Sequence, residues 1–114
     1  MIKRYLSTLL FYNEKLVKNC VIGMDASHKV VEIIPLEKCP TETAHTLFYD
    51  GIISGELRNN DISLPDLNGQ DAFLSFFKNN TLPIELNQRN HIVLWKNIHL
   101  VEWHFKSKTL PTEL

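Results

Sequence analysis

The chain is poor in the residues that would announce a chemistry. It has two cysteines, Cys20 and Cys39, and no C-x-x-C pair. Two thiols make no disulfide framework, so buried or half-buried free thiols in a reducing compartment are the simplest expectation. Glycine is scarce, with four residues. Neither Gly23 nor the Gly51/Gly55 pair forms a phosphate-cradling loop, which needs several glycines between a strand and a helix. Excess charge is missing too: twelve basic residues face thirteen acidic ones, for a formal charge of -1. That balance gives no electrostatic ground for expecting nucleic acid or an anionic membrane as partner. No apolar run approaches the roughly 20 residues of a membrane span. Basic residues do precede an apolar run at the N-terminus. Asn13-Glu14-Lys15 ends that run without a small-residue cleavage site, so a cytoplasmic location is expected.

What remains is a chain of 114 residues, 44% of them hydrophobic. That is enough for one domain with a real core. The apolar residues come in short runs rich in β-branched and aromatic types, which favour strands. Residues 4–12 suit a strand near a sheet edge, followed by a turn at Asn13-Glu14-Lys15. Residues 20–24 form a second strand. Asp25-Ala26-Ser27-His28 reads as a hairpin turn, because Asp and Ser bond to nearby backbone. Residues 29–36 form a third strand, stopped at Pro35. Thr46 to Tyr49 is a short strand, and Asp50-Gly51 reads as a turn because both tolerate positive φ. Ile52 and Ile53 continue in another short strand. Gly55 is expected where a side chain would collide or φ is positive. Late strands are expected at 92–95, 98–101 and 103–105, with a polar tail that adds an edge strand or frays.

The single helix expected lies near residues 69–78. Phe73, Phe76 and Phe77 recur at i, i+3 and i+4. Asn68 is the expected N-cap and Asp71 is favourably placed in the first turn. Three aromatics on one stripe must be covered, by an apolar sheet face or by a partner.

Candidate sites are few. His99 and His104 lie five apart, a spacing that joins two imidazoles neither along one strand nor along one helix. His28 and His45 sit in or near turns, and His91 lacks a partner at useful spacing. Asp61 and Asp66 flank a loop, where Asp66 caps a helix as readily as it acts in acid–base work. Cys39 has no nearby histidine to activate it. Trp95, Trp103, His104 and Phe105, interleaved with Lys96 and Lys106, are the candidate ligand-stacking set. A period-two strand with its aromatics turned inward, as core or protein interface, predicts the same residues.

Two stretches carry a likeness to a known family. Thr46-Leu47-Phe48-Tyr49-Asp50-Gly51-Ile52-Ile53-Ser54-Gly55 resembles the T-x-F-Y-x-G-I-I-x-P-G segment of metal-dependent amidohydrolases of the aminofutalosine-deaminase-like and chlorohydrolase-like type. Val31-Glu32-Ile33-Ile34-Pro35-Leu36 is similar to the strand before it. Ile92-Val93-Leu94-Trp95-Lys96-Asn97-Ile98-His99-Leu100 resembles the late strands of such enzymes. The resemblance implies that residues 1–55 and 84–114 pair as a composite β-sandwich, with residues 56–83 as a loop–helix insertion. In the family, H-x-H follows the first segment and opens a metal-bearing barrel. Here that register falls on Asn60-Asp61-Ile62, and the Pro before Gly55 is Ser54. A barrel takes about 250 residues, whereas a sandwich takes about 100.

The expectation is therefore a small, mainly-β domain, a β-sandwich like the amidohydrolase composite domain, with one amphipathic helix. It carries no catalytic residues, metal or cofactor of its own. It serves as a structural or protein-interaction module, as a homodimer or with another protein. Two alternatives stay open. One is a binding domain for a cyclic nitrogenous metabolite at Trp95, Trp103, His104 and Phe105. The other is a hydrolase assembled in an oligomer, which would need several of His45, His91, His99 and His104 to converge with a carboxylate.

Overall fold

The structure is a computed structural model and describes residues 2–38, 46–58, 69–96, 98–99, 104–105 and 112–114; for 98–99 and 104–105 the description is of the backbone. Strands dominate. They are β1 (Lys3–Tyr12), β2 (Lys15–Val17), β3 (Cys20–Met24), β4 (Val30–Pro35) and β5 (Thr46–Ser54), followed by β6 (Val93–Trp95), β7 (Ile98–His99), β8 (His104–Phe105) and β9 (Thr112–Glu113). The one α-helix of the described residues, α1 (Gln70–Asn80), lies between β5 and β6. The domain is thus small and mainly β with one helix, as its β-branched runs and single helical stripe imply.

Seven strands form one sheet in the order β4-β3-β1-β5-β6-β9, with β2 beside β1; β7 and β8 form a separate two-stranded ribbon. β1 runs antiparallel to β3 and parallel to β5. An edge position for the first strand is therefore wrong. β1 has neighbours on both sides, and Leu9, Leu10 and Phe11 are buried in succession, which only an interior strand covered on two faces allows. β5 and β6 pair antiparallel, with Ile52 opposite Trp95 and Ser54 opposite Val93. The tail supplies a short edge strand, β9, beside β6.

The turn expected at Asp50-Gly51 is a bulge within one continuous strand. Asp50 and Gly51 together face Thr8, so the register against β1 slips by one residue there. The Thr8 hydroxyl holds the extra residue: it donates to Asp50 Oδ1 at 3.0 Å and accepts from the Gly51 amide at 3.3 Å. Gly51 has φ 146° and abuts the Trp95 carbonyl, so a Cβ there would strike backbone. The residue types that close a hairpin also suit a bulge. Here the partner strand, not the local sequence, decides between the two.

The sheet has two apolar faces because alternate residues point to opposite sides. On one, Leu9, Phe11, Ile52, Val93 and Trp95 meet the helix through Phe73, Phe76 and Phe77. On the other, Leu10, Ile22, Val30, Ile53 and Leu94 meet Ile84 and Ile92 from the segment between α1 and β6. The three phenylalanines are thus buried within the chain, and burying each contributes about 2–3 kcal/mol as an upper figure. Phe76 and Phe77 stand edge-on to Trp95, with ring centroids 5.6 and 5.5 Å away, a favoured aromatic geometry. The N-cap position of α1 is Gly69, which makes no side-chain cap; Asn68 lies outside the described residues. Asp71 stands in the first turn.

Candidate functional site

Of the aromatic set proposed for ligand stacking, the structure places the side chain of Trp95. Trp95 has no exposed surface. Its indole N–H donates to the Ser54 hydroxyl at 2.7 Å. Trp95 is therefore a core residue and offers no face to a ligand, which corrects its assignment as a binding residue. The correction follows from β6, an interior strand whose three residues are all buried, with Val93 and Trp95 on the face covered by the helix. Trp103 lies outside the described residues, and His104 and Phe105 are described by backbone alone. His104 lies directly opposite His99 across the β7–β8 ribbon. A spacing of five, which joins nothing along one strand, becomes a cross-strand pair once the chain turns back.

Two of the five histidines, His28 and His91, have described side chains. His28 and His91 come together with ring centroids 4.4 Å apart. His91 Nδ1 lies 2.9 Å from Glu113 Oε1, at the C-terminal edge strand. No spacing in the sequence announces this pair, because His28 ends a hairpin turn and His91 comes from a distant segment. His45, Cys39, Asp61 and Asp66 lie outside the described residues. Among the described residues, no three His, Cys, Asp or Glu side chains stand together as a metal site. Cys20 is buried in the core.

The segment joining α1 to β6 is pinned as firmly as a strand. Leu82 N donates to Glu56 O at 2.7 Å, and Asn87 N to Val30 O at 2.7 Å. Asn90, almost fully buried, is the hub. Its amide oxygen accepts from Glu56 N at 2.7 Å and its amide nitrogen donates to Pro83 O at 3.1 Å. Its own backbone N–H donates to His28 O at 2.8 Å. Gly55 completes the join, since a Cβ there would strike the Leu82 carbonyl. The collision expected at this glycine is therefore real.

These constraints build a cleft of about 540 Å³. One wall is the β1–β2 turn. Asn13 and Glu14 both hold positive φ, 55° and 62°, the conformation that a two-residue hairpin loop requires. A second wall is the end of α1. Of the carbonyls that its last turn leaves unpaired, those of Phe77 and Asn80 find donors, and Phe76 O gains a second one. Asn80 Nδ2 donates to Phe76 O at 2.8 Å, and the Thr81 amide and hydroxyl both donate to Phe77 O. Arg58 donates from its backbone to Asn80 O at 2.9 Å and from Nε to Thr81 O at 3.1 Å. The third wall is the loop from Pro83 to Gln88.

Two carboxylates are held below their ordinary range. Glu32 is held there by hydrogen bonds from the Arg4 guanidinium, at 2.9 and 3.1 Å. Asp25 is lowered first by the Lys29 backbone amide, with the Ser27 amide adding to it. Burial, and then the neighbouring Tyr49, push the Tyr5 hydroxyl up. Each has a structural cause and none faces the cleft.

Among the described residues, no helix is long and apolar enough to cross a membrane. No protein-family model, curated protein or solved structure matches the chain.

Proposed function

We propose that this chain is a non-catalytic interaction module that associates with a second copy of itself through the first half of β5. The observation that carries the reading is the exposure of Phe48, 65%, and Leu47, 48%, side by side in a strand. Consecutive strand residues point to opposite faces. Both faces of β5 are therefore apolar and in water at this one place.

The backbone supports the same reading. Among the described residues, positions 46–49 pair on one side only, with β1, while β6 meets β5 from Ile52 onward. An apolar strand with one unpaired side is a template for another strand. Two copies aligned antiparallel about Phe48 would set Leu47 opposite Tyr49 and Thr46 opposite Asp50. That register gives apolar cross-strand pairs with no like charges facing each other.

The three-phenylalanine helix, the surface first expected to meet a partner, is spent inside the chain. A scaffold akin to the paired terminal segments of metal-dependent amidohydrolases is part of the proposal. It rests on the run from Thr46 to Gly55, and the shared sheet of β1, β5 and β6 agrees with it.

Sedimentation velocity over a range of protein concentrations tests the reading. Association that rises with concentration is expected, together with its loss in Phe48→Ser. That substitution lies on the surface and should change stability by no more than about 0.5 kcal/mol. A monomer at every concentration, or a dimer indifferent to Phe48→Ser, would overturn the proposal.

A further inference from the structure

The cleft between the β1–β2 turn, the end of α1 and the following loop takes no part in that association. Its floor is apolar, formed by Phe11 and Ile84. Its rim carries both signs of charge: Arg58 and Lys78 on the helix side, Glu14 on the turn and Glu85 on the loop.

Arg58 is the best-fixed of the four, through its backbone bond to Asn80 and its Nε bond to Thr81. A guanidinium has five N–H donors in a planar fork. With Nε turned to the helix end, the terminal amino groups are the part left for an incoming acceptor. Lys78 reaches Glu14 at 3.7 Å with both side chains mostly exposed, a contact weak enough to exchange. Glu85 is exposed, and among the described residues its side chain makes no hydrogen bond or ion pair. Leu86 leaves 46% of its surface in water beside it.

A simple anion entering here would meet two carboxylates, and a simple cation would meet two basic groups. A molecule with both charges and apolar side chains can pair each charge and cover the exposed carbon. We infer that the cleft binds a small zwitterion of the dipeptide kind. Its carboxylate lies on the Arg58 fork, its ammonium at Glu85 and its apolar side chain over Tyr12 and Leu86. The volume falls within the roughly 300–1,000 Å³ of small-molecule sites. Planar pairing of a carboxylate is what Arg58 provides and a lysine would not.

The test is an amide-resolved NMR titration of the full chain with L-leucyl-L-leucine. Saturable shifts are expected at Tyr12, Glu14, Arg58 and residues 84–88. Affinity should fall about tenfold in Glu85→Gln and in Arg58→Gln. Because Arg58 also closes the helix end, Glu85→Gln, which touches no structural contact, is the deciding variant. The same dipeptide with acetylated and amidated ends should not bind. Absence of saturable shifts, equal binding of the capped peptide or of acetate alone, or indifference to Glu85→Gln would each overturn the assignment.

Discussion

Asn90 shows how much a single buried amide can organise. It joins the exit of β5, the segment after α1 and the Asp25–His28 turn by three hydrogen bonds. Its two side-chain roles differ in kind, one accepting and one donating. Asn90→Asp keeps the shape but turns an acceptor towards the Pro83 carbonyl, and a loss of about 2–3 kcal/mol is expected in urea denaturation. Asn90→Ala should cost a similar amount by leaving the Glu56 amide and the Pro83 carbonyl unpaired. Nothing around Asn90 in the sequence sets it apart from the other residues of a polar loop. Its role is visible only once three distant segments converge.

Glu32 and Arg4 form a second residue-scale device. The guanidinium holds Glu32 ionised more readily in the folded state than in the unfolded chain. The unfolded chain therefore binds more protons as acid is added. The stabilisation is present above the ordinary carboxylate range and is lost as pH falls through the depressed folded value. Glu32→Gln should flatten the acid side of the stability profile, removing about 1 kcal/mol near neutrality for this part-buried pair. Urea midpoints measured between about pH 7 and 3 read this directly.

At the scale of elements, local chemistry was a good guide where one residue type serves one purpose. β3 spans the five residues that the valine and isoleucine run implies. The helix extends two residues beyond its expected end, because Thr81 and Arg58 satisfy its last carbonyls. Asp50-Gly51 misleads for the opposite reason: the pair suits a turn and a bulge equally, and Thr8, 42 residues earlier, chooses. The Asn13–Glu14 turn marks a place where the sequence is not at its optimum. Glu14 holds φ 62°, a conformation costing most residues about 1–2 kcal/mol. Glu14→Gly removes that strain and loses only an exposed ion pair with Lys78. A net gain of up to about 1 kcal/mol in thermal or urea unfolding is expected after the added freedom of the unfolded chain is counted.

For the molecule as a whole, the class of fold was legible and the arrangement was not. Short β-branched runs and one helical stripe are properties of neighbouring residues. The order of strands, the central place of β1 and the meeting of His28 with His91 are properties of residues far apart. The candidate site divides the same way. Trp95 looks available in sequence because an aromatic in a strand is equally fit for a core or a stacking surface. Packing by Phe76 and Phe77 settles it as core. The cleft, by contrast, draws its charged rim from a hairpin, a helix end and a loop, and no short motif spans them.

The central place of β1 also bears on how the chain is made. During synthesis β1 gains its antiparallel neighbour early, since β3 begins at Cys20. Its other flank waits for β5, which ends at Ser54, and its cover of phenylalanines comes later still. Nascent chains of intermediate length thus carry an interior strand half-dressed, with Leu9 and Phe11 facing water. Distant partners of this kind slow folding and lengthen exposure to aggregation. Demand for a chaperone should therefore fall during synthesis, between the emergence of β1 and that of α1, rather than after release.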